Sequence, residues 1–339
     1  MTDTIKVAVI GAGVMGKNHL KTYKSLPNVE LIGVYDIFPE AAENAAKMFG
    51  IKAFSSMEEV AKSVNAVSVV TTSTTHADVG EFFLNHGIHC LIEKPLATTE
   101  EECMRLINAA KKNNVTLLVG HIERFNPAVE QMSKILSDTS KIRSLTAQRM
   151  SAASGRITDV DVAMDLMIHD VEVIQSLVKS PVVNVQACSV KTADKPEGKD
   201  YISALLEFEN GITANLTASR ITQARVRTLT VTTDTNYIDM DFINQSINVH
   251  SQGRMPYVNQ ESIPDWMNYG LKGSVEQLFI PTNQPLSAEL SHFMACIRGE
   301  ATPRINGESA LNALRVIWEI QRKLGFIKNK QESSLKLVA

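Results

Sequence analysis

The chain has 339 residues, with 34 Lys and Arg against 37 Asp and Glu, which gives a formal net charge of −3. This balance argues against a dedicated nucleic-acid binder, because such proteins need a basic excess to neutralise phosphates. Hydrophobic residues at 44% and charged residues at 21% are typical of a folded globular protein, and the length suggests about two domains.

The sequence contains no sign of a membrane segment or of a metal site. No apolar run approaches the roughly 18 to 20 residues that cross a bilayer, so we expect a cytoplasmic protein without a membrane partner. The four cysteines are scattered without a C-x-x-C pair, which favours reduced thiols over disulfides or zinc. His86, His89 and Cys90 lie across a predicted helix end and the next strand, and we expect no metal there.

Strands and helices alternate along the first 120 residues. The predicted strands are 5–10, 30–35, 66–70, 89–93 and 116–120, and the predicted helices between them are 15–25, 40–49, 77–85 and 99–113. Alternation of this kind predicts a doubly wound parallel sheet with helices on both faces, the Rossmann architecture, over residues 1–123.

The rhythm changes after residue 123. Asn126-Pro127 has the signature of a helix start, and helices are predicted at 127–136 and 165–178. Strand-like stretches follow at 182–190, 201–209, 212–219, 226–233 and 237–242, and two late helices at 287–298 and 308–323. Glu209-Asn210-Gly211 is a hairpin signal, so the sequence predicts a second α/β domain over 124–325 with a mostly antiparallel sheet, then a polar tail over 326–339.

A glycine-rich turn follows the first predicted strand. Gly11-Ala12-Gly13-Val14-Met15-Gly16 is a G-x-G-x-x-G sequence between a strand and a helix. Such glycines allow a tight turn, close approach of a pyrophosphate, and close packing of the helix. The helix N-terminus then favours the diphosphate of a dinucleotide.

Asp36 ends the second predicted strand, 20 positions after Gly16. A carboxylate at this place accepts hydrogen bonds from the adenosine ribose and repels a 2′-phosphate, and Ile37 follows in place of an arginine. The pattern therefore favours NAD over NADP. A turn that binds nothing and a flavin site are the alternatives.

Three further motifs occur at the ends of predicted elements: Glu93-Lys94-Pro95, Arg124-Phe125-Asn126-Pro127 and Asp165-x-x-x-His169. Together with the glycine turn they resemble the Gfo/Idh/MocA oxidoreductase family, from about residue 5 to residue 325. The resemblance implies a dinucleotide-binding domain joined to an α/β domain with an open antiparallel sheet. It also implies oxidation or reduction of a sugar or cyclitol hydroxyl with a nicotinamide cofactor, and a homo-oligomer, either a dimer or a tetramer.

The resemblance also implies roles for single residues. Lys94 corresponds to the lysine that bonds the reacting hydroxyl, Glu93 lies near the nicotinamide ribose, and Lys94-Pro95 is a candidate cis peptide. Asp165 and His169 correspond to the remaining polar pair of the site. The cofactor-binding set that we assign on this basis is Gly11, Gly13, Val14, Met15, Gly16, Asp36, Ile37, Thr71, Ser73, His76, Glu93, Lys94 and Arg124.

The chemistry of these residue types agrees with those roles. Loss of hydride from a carbinol carbon requires the hydroxyl proton to leave as well, so a base that titrates near neutrality is needed. Asp165 and His169 are four residues apart on a predicted helix, where the carboxylate can orient the imidazole. A lone helical histidine is more often structural, and a lone Lys94 would be a solvated loop residue; their joint presence favours catalysis.

One stretch departs from the common family pattern. Many members read Thr-Pro-Asn-x-x-His after the fourth strand, whereas this chain has Thr71-Thr72-Ser73-Thr74-Thr75-His76. Thr71 and His76 match, and Ser73 replaces the asparagine. His76 is therefore either a cofactor contact or a helix N-terminal residue without a ligand role.

The segment Gly120-His121-Ile122-Glu123-Arg124-Phe125-Asn126-Pro127 resembles the subset that oxidises UDP-N-acetylglucosamine at the third carbon, which yields a 3-keto sugar that an aminotransferase can use. A diphosphate substrate calls for arginines, since their planar fork donates two hydrogen bonds at once. Arg220, Arg225 and Arg227 are predicted on consecutive strands, and Arg156 precedes the helix of His169. Surface arginines without a ligand are the competing interpretation, and Asn126 is either a substrate contact or only a helix cap.

Two other functions stay open at this point. An inositol or simple-sugar dehydrogenase would use Lys94, Asp165 and His169 equally well. A cofactor-sensing regulator without enzymatic activity is a third possibility, because folds of this kind can be recruited for other roles.

Overall fold

The computed structural model describes residues 4–152, 160–191, 196–252 and 273–328. These residues form two compact units. The first comprises the described residues up to Phe125 together with Asn283–Arg315, and the second comprises those within Asn126–Thr282 and from Val316 onward. Within the described residues, no helix has the length and apolar character needed to cross a membrane.

The first unit contains a parallel sheet. Its strands are β1 (Ile5–Ile10), β2 (Val29–Tyr35), β3 (Lys52–Ala53), β4 (Ala66–Val69), β5 (His89–Glu93) and β6 (Leu117–Gly120). Their order is β3-β2-β1-β4-β5-β6, and every neighbouring pair is parallel. The chain order reverses between β1 and β4, which is the switch point where doubly wound sheets bind their ligands. The predicted Rossmann architecture is confirmed.

Helices connect these strands. They are α1 (Val14–Tyr23), α2 (Pro39–Phe49), α3 (Met57–Ala61), α4 (His76–Asn85) and α5 (Glu100–Lys112). Local sequence explains several boundaries. Thr99 and Glu102 form a capping box at the start of α5, because each side chain binds the other residue's backbone N–H. Gly50 ends α2 in the left-handed conformation, with φ +67°.

The second unit is built on an eight-stranded sheet within the described residues. Its strands are β7 (Ile142–Met150), β8 (Val182–Ser189), β9 (Tyr201–Phe208), β10 (Thr213–Ser219), β11 (Val226–Thr233), β12 (Asn236–Asp241), β13 (Ser246–Gln252) and β14 (Gly273–Leu278), in the order β14-β13-β12-β11-β7-β10-β9-β8. Only the β7 and β10 pair among them is parallel. The mostly antiparallel sheet is confirmed, and so is the hairpin at Gly211, whose φ is +82°.

Two helices pack on this sheet. They are α6 (Pro127–Ile135), against β12 and β13, and α7 (Ile168–Val178), against β7 and β10. The sequence predicts one α-helix over 165–178, but residues Ala163–Met167 form a π-helical stretch that runs into α7. That helix prediction was wrong in its first turn. A π-helical stretch inside a helix is rare and often occurs at functional sites.

Two late helices complete the chain as described, α8 (Pro285–Ile297) and α9 (Gly307–Lys323). Helix α8 belongs to the first unit, where it packs against α1. Leu290, Phe293 and Met294 of α8 join the core of the Rossmann sheet, beside Leu20 and Tyr23 of α1. Burial of these apolar side chains is what attaches the helix.

Candidate active site

The glycine turn has the geometry that a dinucleotide requires. Gly11 has φ +106°, and a Cβ there would lie 2.5 Å from the carbonyl oxygen of Val70. A Cβ at Gly16 would overlap the carbonyl oxygen of Gly11, so helix α1 could not start this close with any larger residue. At Gly13, the N-cap of α1, a Cβ would meet nothing within 4 Å. The backbone at Gly13 is therefore accessible, and the turn fits the diphosphate of NAD.

Asp36 connects the end of β2 to this turn. Its Oδ2 accepts a hydrogen bond from the backbone N–H of Ala12 at 2.7 Å, and its Oδ1 accepts one from Phe38 at 2.9 Å. The two amides hold the carboxylate beside the glycine turn, and Ile37 next to it is 78% exposed. This placement fits a carboxylate that receives ribose hydroxyls.

His76 links the ends of two neighbouring strands. Its imidazole is buried, with Nδ1 2.8 Å from the carbonyl oxygen of Pro95 and Nε2 3.2 Å from that of Thr71. Burial lowers the pKa of His76, although both carbonyls and the Glu93 carboxylate act in the opposite direction. Both ring nitrogens thus contact backbone groups of the protein, one after β4 and one after β5. These contacts favour a structural role for His76 over a direct cofactor contact through its nitrogens.

Glu93 is the last residue of β5, and the peptide bond between Lys94 and Pro95 is cis. The Oε1 atom of Glu93 lies 3.0 Å from Nε2 of His19, and its Oε2 accepts a hydrogen bond from the Lys94 N–H at 3.3 Å. Gly120 ends the adjacent strand β6, where a Cβ would be 3.0 Å from the Glu93 carboxylate. His19 and the backbone N–H of Lys94 therefore hold the Glu93 carboxylate, which lies beside Gly120 at the end of β6.

His121 follows β6 and is fully buried. Burial, together with the positive charges of Lys94 and Arg124, lowers the pKa of His121 to about 3. The ring is therefore neutral at physiological pH. Thr71, Ser73, Lys94 and Arg124 all follow the carboxyl ends of β4, β5 and β6, the edge where parallel sheets bind ligands.

The second unit holds the predicted polar pair. Asp165 lies in the π-helical stretch and His169 in the first turn of α7, and both are half-buried. Asp161 precedes them, and its Oδ1 accepts hydrogen bonds from the backbone N–H groups of Ala163 at 2.9 Å and Met164 at 3.1 Å. The helix that carries the pair thus has a buried acidic cap.

Asn126 is the N-cap of α6. Its Oδ1 accepts a hydrogen bond from the Ala128 N–H at 3.1 Å, and its Nδ2 donates one to the carbonyl oxygen of Phe242 at 3.0 Å. The side chain is 2% exposed. Of the two roles that the sequence leaves open, the cap is the one that these contacts provide.

The arginines differ in their surroundings. Arg220 is buried, pairs with Asp200 through an Nε to Oδ1 distance of 3.0 Å, and donates to the carbonyl oxygen of Val160. Arg225 is exposed, and Arg227 lies on β11 opposite Arg149. The expectation of consecutive strands is wrong, because Arg220 and Arg225 lie in the connection between β10 and β11. Arg156 lies outside the described residues.

Some residues around the site had no sequence signal. His19 is one turn beyond the glycine motif, and nothing in the sequence connects it to Glu93. Arg149 and Asp170 form a buried ion pair whose partners are 21 residues apart. Tertiary contacts of this kind become visible only once the strands and helices are packed.

Comparisons with known proteins agree with the fold and with the motifs. Residues 5–121 match the model of an oxidoreductase family with an NAD-binding Rossmann fold, and residues 143–238 match the GFO/IDH/MocA C-terminal domain. The UDP-N-acetylglucosamine 3-dehydrogenase of Acidithiobacillus ferrooxidans is 33% identical over 264 residues, which cover 76% of this chain and 82% of that protein. An inositol 2-dehydrogenase of Rhizobium meliloti is 27% identical over 230 residues, covering 64% of this chain and 69% of that protein.

A solved structure of the Acidithiobacillus ferrooxidans UDP-N-acetylglucosamine 3-dehydrogenase superimposes with a TM-score of 0.85, at 29% identity, over 96% of this chain and 99% of that one. The glycine turn, Asp36 and the parallel sheet define an oxidoreductase with an NAD-binding Rossmann domain. With both of its domains matched, the chain belongs to the Gfo/Idh/MocA family.

Proposed function

We propose that this protein is an NAD-dependent dehydrogenase that oxidises the 3-hydroxyl of UDP-N-acetylglucosamine. The observation that supports a dehydrogenase best is the presence of Lys94 at the end of β5 together with Asp165 and His169 around the start of α7. The choice of substrate is supported by the 33% identity to a UDP-N-acetylglucosamine 3-dehydrogenase over 82% of that protein.

Each of these residues has a defined task in the proposed reaction. His169 accepts the proton of the reacting hydroxyl, because a neutral imidazole is a base suited to neutral pH. Asp165, one helical turn earlier, orients the imidazole and stabilises its protonated form. Lys94 donates a hydrogen bond to the oxygen on which negative charge develops. NAD, when bound, supplies the hydride acceptor.

The proposed cofactor preference follows from the second strand. Asp36 would receive the ribose hydroxyls of NAD, and its negative charge would repel the 2′-phosphate of NADP. Because amides of Ala12 and Phe38 hold the carboxylate, its position is set before the cofactor arrives. The remaining motif residues, Val14 and Met15 at the start of α1, would bring backbone N–H groups to the diphosphate.

For the substrate diphosphate, Arg225 and Arg227 are better candidates than Arg220. The guanidinium of Arg220 is buried against Asp200, so its charge is already balanced. Arg225 is exposed and Arg227 half-buried, so a phosphate would meet either one at a lower desolvation cost than at Arg220.

We propose that the protein is a cytoplasmic homo-oligomer, a dimer or a tetramer, assembled through the exposed face of the eight-stranded sheet. Tyr237, His250 and Val275 lie in line across β12, β13 and β14. Tyr237 is 46% exposed and Val275 60% exposed. Exposed apolar side chains in line on one sheet face favour a protein contact there.

The test is the absorbance of NADH at 340 nm with purified protein, NAD and either UDP-N-acetylglucosamine or myo-inositol, in the presence of a ketone trap because oxidation can be unfavourable at equilibrium. NADH formed only with the UDP-sugar is the expected result. NADH formed only with inositol would overturn the substrate and keep the reaction class. Absence of NADH with both and with a wider sugar panel, despite measurable NAD binding, would favour a cofactor-sensing regulator instead.

A further inference from the structure

A buried ion pair joins β7 to α7 in the second unit. Arg149 of β7 donates to Asp170 of α7 through Nε, at 3.1 Å to Oδ1 and 3.0 Å to Oδ2, and through Nη2, at 2.7 Å to Oδ1. Both side chains are 3% exposed. The guanidinium also lies over the ring of Phe242, 5.1 Å from its centroid. Several hydrogen bonds and a ring contact thus fix a single arrangement of the pair.

Arg149 lies on a strand that is paired on both sides. Arg149 lies opposite Ala218 of β10 on one side and Arg227 of β11 on the other, so β7 is held in the sheet from both sides. The helix end lies next to the proposed base, because Asp170 directly follows His169. Because Asp170 is bound to Arg149, it fixes the rotation of α7 about its axis and its position along that axis at the turn that carries His169.

A second buried carboxylate, that of Asp161, holds the chain on the N-terminal side of Asp165 and His169. Asp161 caps the π-helical stretch with Oδ1, and its Oδ2 accepts a hydrogen bond from Nε2 of Gln321 at 2.7 Å. Both Asp161 and Gln321 are buried. Asp165 and His169 therefore lie between two anchors, one before the π-helical stretch and one in α7.

A buried ion pair contributes little net stability to a fold, because the cost of desolvation offsets the attraction between the charges. Two charges must leave water, and replacement of a buried pair by apolar side chains is often neutral or stabilising. We therefore interpret this ion pair as selecting one conformation of α7 rather than as a source of stability. Because Asp170 directly follows His169 in the chain, the selected conformation is that of the turn which carries His169.

We propose that Arg149 is a positioning residue, which acts through Asp170 to hold His169 in its reactive orientation and to keep the charge next to it balanced. The inference rests on the proposed role of His169 as the base. The charged side chains along the π-helical stretch and the first turns of α7 are Asp165, Asp170 and Glu172. Those on strands β7 and β11 are Arg143, at the far end of β7, Arg149 and Arg227.

Removal of one partner should change the charge beside His169 in a direction set by which partner is removed. Asp170→Asn leaves the positive charge of Arg149, which disfavours protonation of the imidazole. Arg149→Met leaves the negative charge of Asp170, which favours it. A loss of packing alone would not shift the midpoint of the His169 titration in opposite directions in the two variants.

The experiment follows the His169 ring by NMR in the cofactor-free protein, with the signal assigned by its absence in His169→Asn. We expect the titration midpoint to move down by about half a pH unit or more in Asp170→Asn and up by a similar amount in Arg149→Met. In parallel, kcat should fall about tenfold or more in both variants while the Kd for NAD stays within twofold. Shifts in the same direction, unshifted midpoints or an unchanged kcat would overturn the proposal.

Two further variants serve as controls for this experiment. Arg143 and Asp234 form an exposed pair at the other end of β7, with 2.6 Å between Nη2 and Oδ1, and Arg143→Met should leave midpoint and kcat unchanged. If either single variant fails to fold, the apolar double variant R149M/D170L, with no buried charge left, is expected to fold and to show a lowered kcat. A wild-type kcat in that protein would overturn the positioning role.

Failure of the proposed function gives a different pattern. If His169→Asn retains full turnover, His169 is not the base, and the proposed mechanism and the positioning role fall together. If turnover depends on His169 but its titration ignores Arg149 and Asp170, only the positioning role falls.

Discussion

His19 and Glu93, 74 residues apart in the chain, lie 3.0 Å apart between Nε2 and Oε1 in the interior of the first unit. His19 belongs to the helix that starts at the glycine turn, and Glu93 to the strand that leads into Lys94. The contact ties the diphosphate end of the proposed cofactor site to its nicotinamide end. This pair of side chains therefore connects the two halves of the proposed site in this unit.

Replacement of His19 by Leu should weaken NAD binding severalfold and lower the free energy of unfolding by roughly 1 to 3 kcal/mol, because Oε1 of Glu93 loses its hydrogen-bond partner. Isothermal titration with NAD and urea unfolding measure the two effects. Tyr23→Phe is the matched control on the same helix, since it removes the hydroxyl that contacts Ser68 at 2.7 Å. Equal effects of the two variants on NAD affinity would contradict a specific role for His19.

Lys94→Ala and His169→Ala should each lower turnover by roughly a hundredfold or more and leave NAD binding intact. The reason is that the proposed task of both side chains is on the reacting hydroxyl, whereas NAD is held mainly by the glycine turn and Asp36. Steady-state kinetics and NAD titration separate the two quantities, and His86→Ala, at an exposed position, serves as control. Unchanged turnover in both active-site variants would remove the proposed mechanism.

Asp36→Ala should raise the ratio of kcat/KM for NADP to that for NAD about tenfold or more, because it removes the charge that repels the 2′-phosphate. Asp36 also holds the glycine turn through the Ala12 N–H, so a loss of NAD binding alone would be ambiguous. Asp36→Asn keeps an acceptor oxygen for that N–H without the charge, and we expect the same change in ratio with a smaller loss of affinity. An unaltered ratio in both would mean that Asp36 does not read the ribose.

Glu289 of α8 is fully buried, and both of its carboxyl oxygens lack a hydrogen-bond partner among the described residues. Burial and the nearby charge of Glu93 raise the pKa of Glu289 well above its usual 4.5. The folded state then keeps a proton that the unfolded state loses above pH 4.5, so this group makes stability fall as pH rises from there towards the raised pKa.

Glu289→Gln should remove that dependence, which for one proton amounts to about 1.4 kcal/mol per pH unit. Urea unfolding at pH 5, 6 and 7 gives the difference between variant and wild type, and it should increase with pH in favour of the variant. Glu43→Gln, at an exposed site on α2, should show a constant difference. A difference that does not change with pH would mean that Glu289 is ionised in the folded protein.

His121 should have the opposite effect in acid. Its pKa is lowered to about 3, so the unfolded state takes up a proton below pH 6.5 while the folded state does not. The stability that His121 contributes is therefore present above pH 6.5 and is lost as pH falls towards 3. His121→Gln should unfold less steeply with acid than the wild type, as followed by circular dichroism between pH 7 and 4, whereas His86→Gln should match the wild type. A wild-type acid profile in His121→Gln would mean that the ring is charged when folded.

The Rossmann half was predictable because its signals are local. Short β-branched runs such as Ile5–Ile10 are buried on both faces, and the glycines and Asp36 have fixed spacing within one strand-helix-strand unit. Asn126-Pro127 and the hairpin at Gly211 were equally local, and both occur as predicted.

The rest depended on partners far along the chain. Strand β7 was missed because its sequence, IRSLTAQRM, alternates poorly, and the buried Arg149 is tolerable only because Asp170 neutralises it. The π-helical stretch at Ala163–Met167 has no sequence signature that separates it from an α-helix. Asn283–Arg315 belongs to the first unit although it follows the second sheet in the chain, and no residue pattern indicates such a return.

The position of β7 also has a consequence for how the protein is made. Its two neighbours in the sheet, β10 and β11, follow it along the chain only after α7, β8 and β9. Contacts at such separation are costly in loop entropy and slow to form. On the ribosome, residues 142–150 therefore have both edges unpaired until Thr213–Ser219 and Val226–Thr233 have emerged, which exposes a strand edge of the nascent second unit to aggregation.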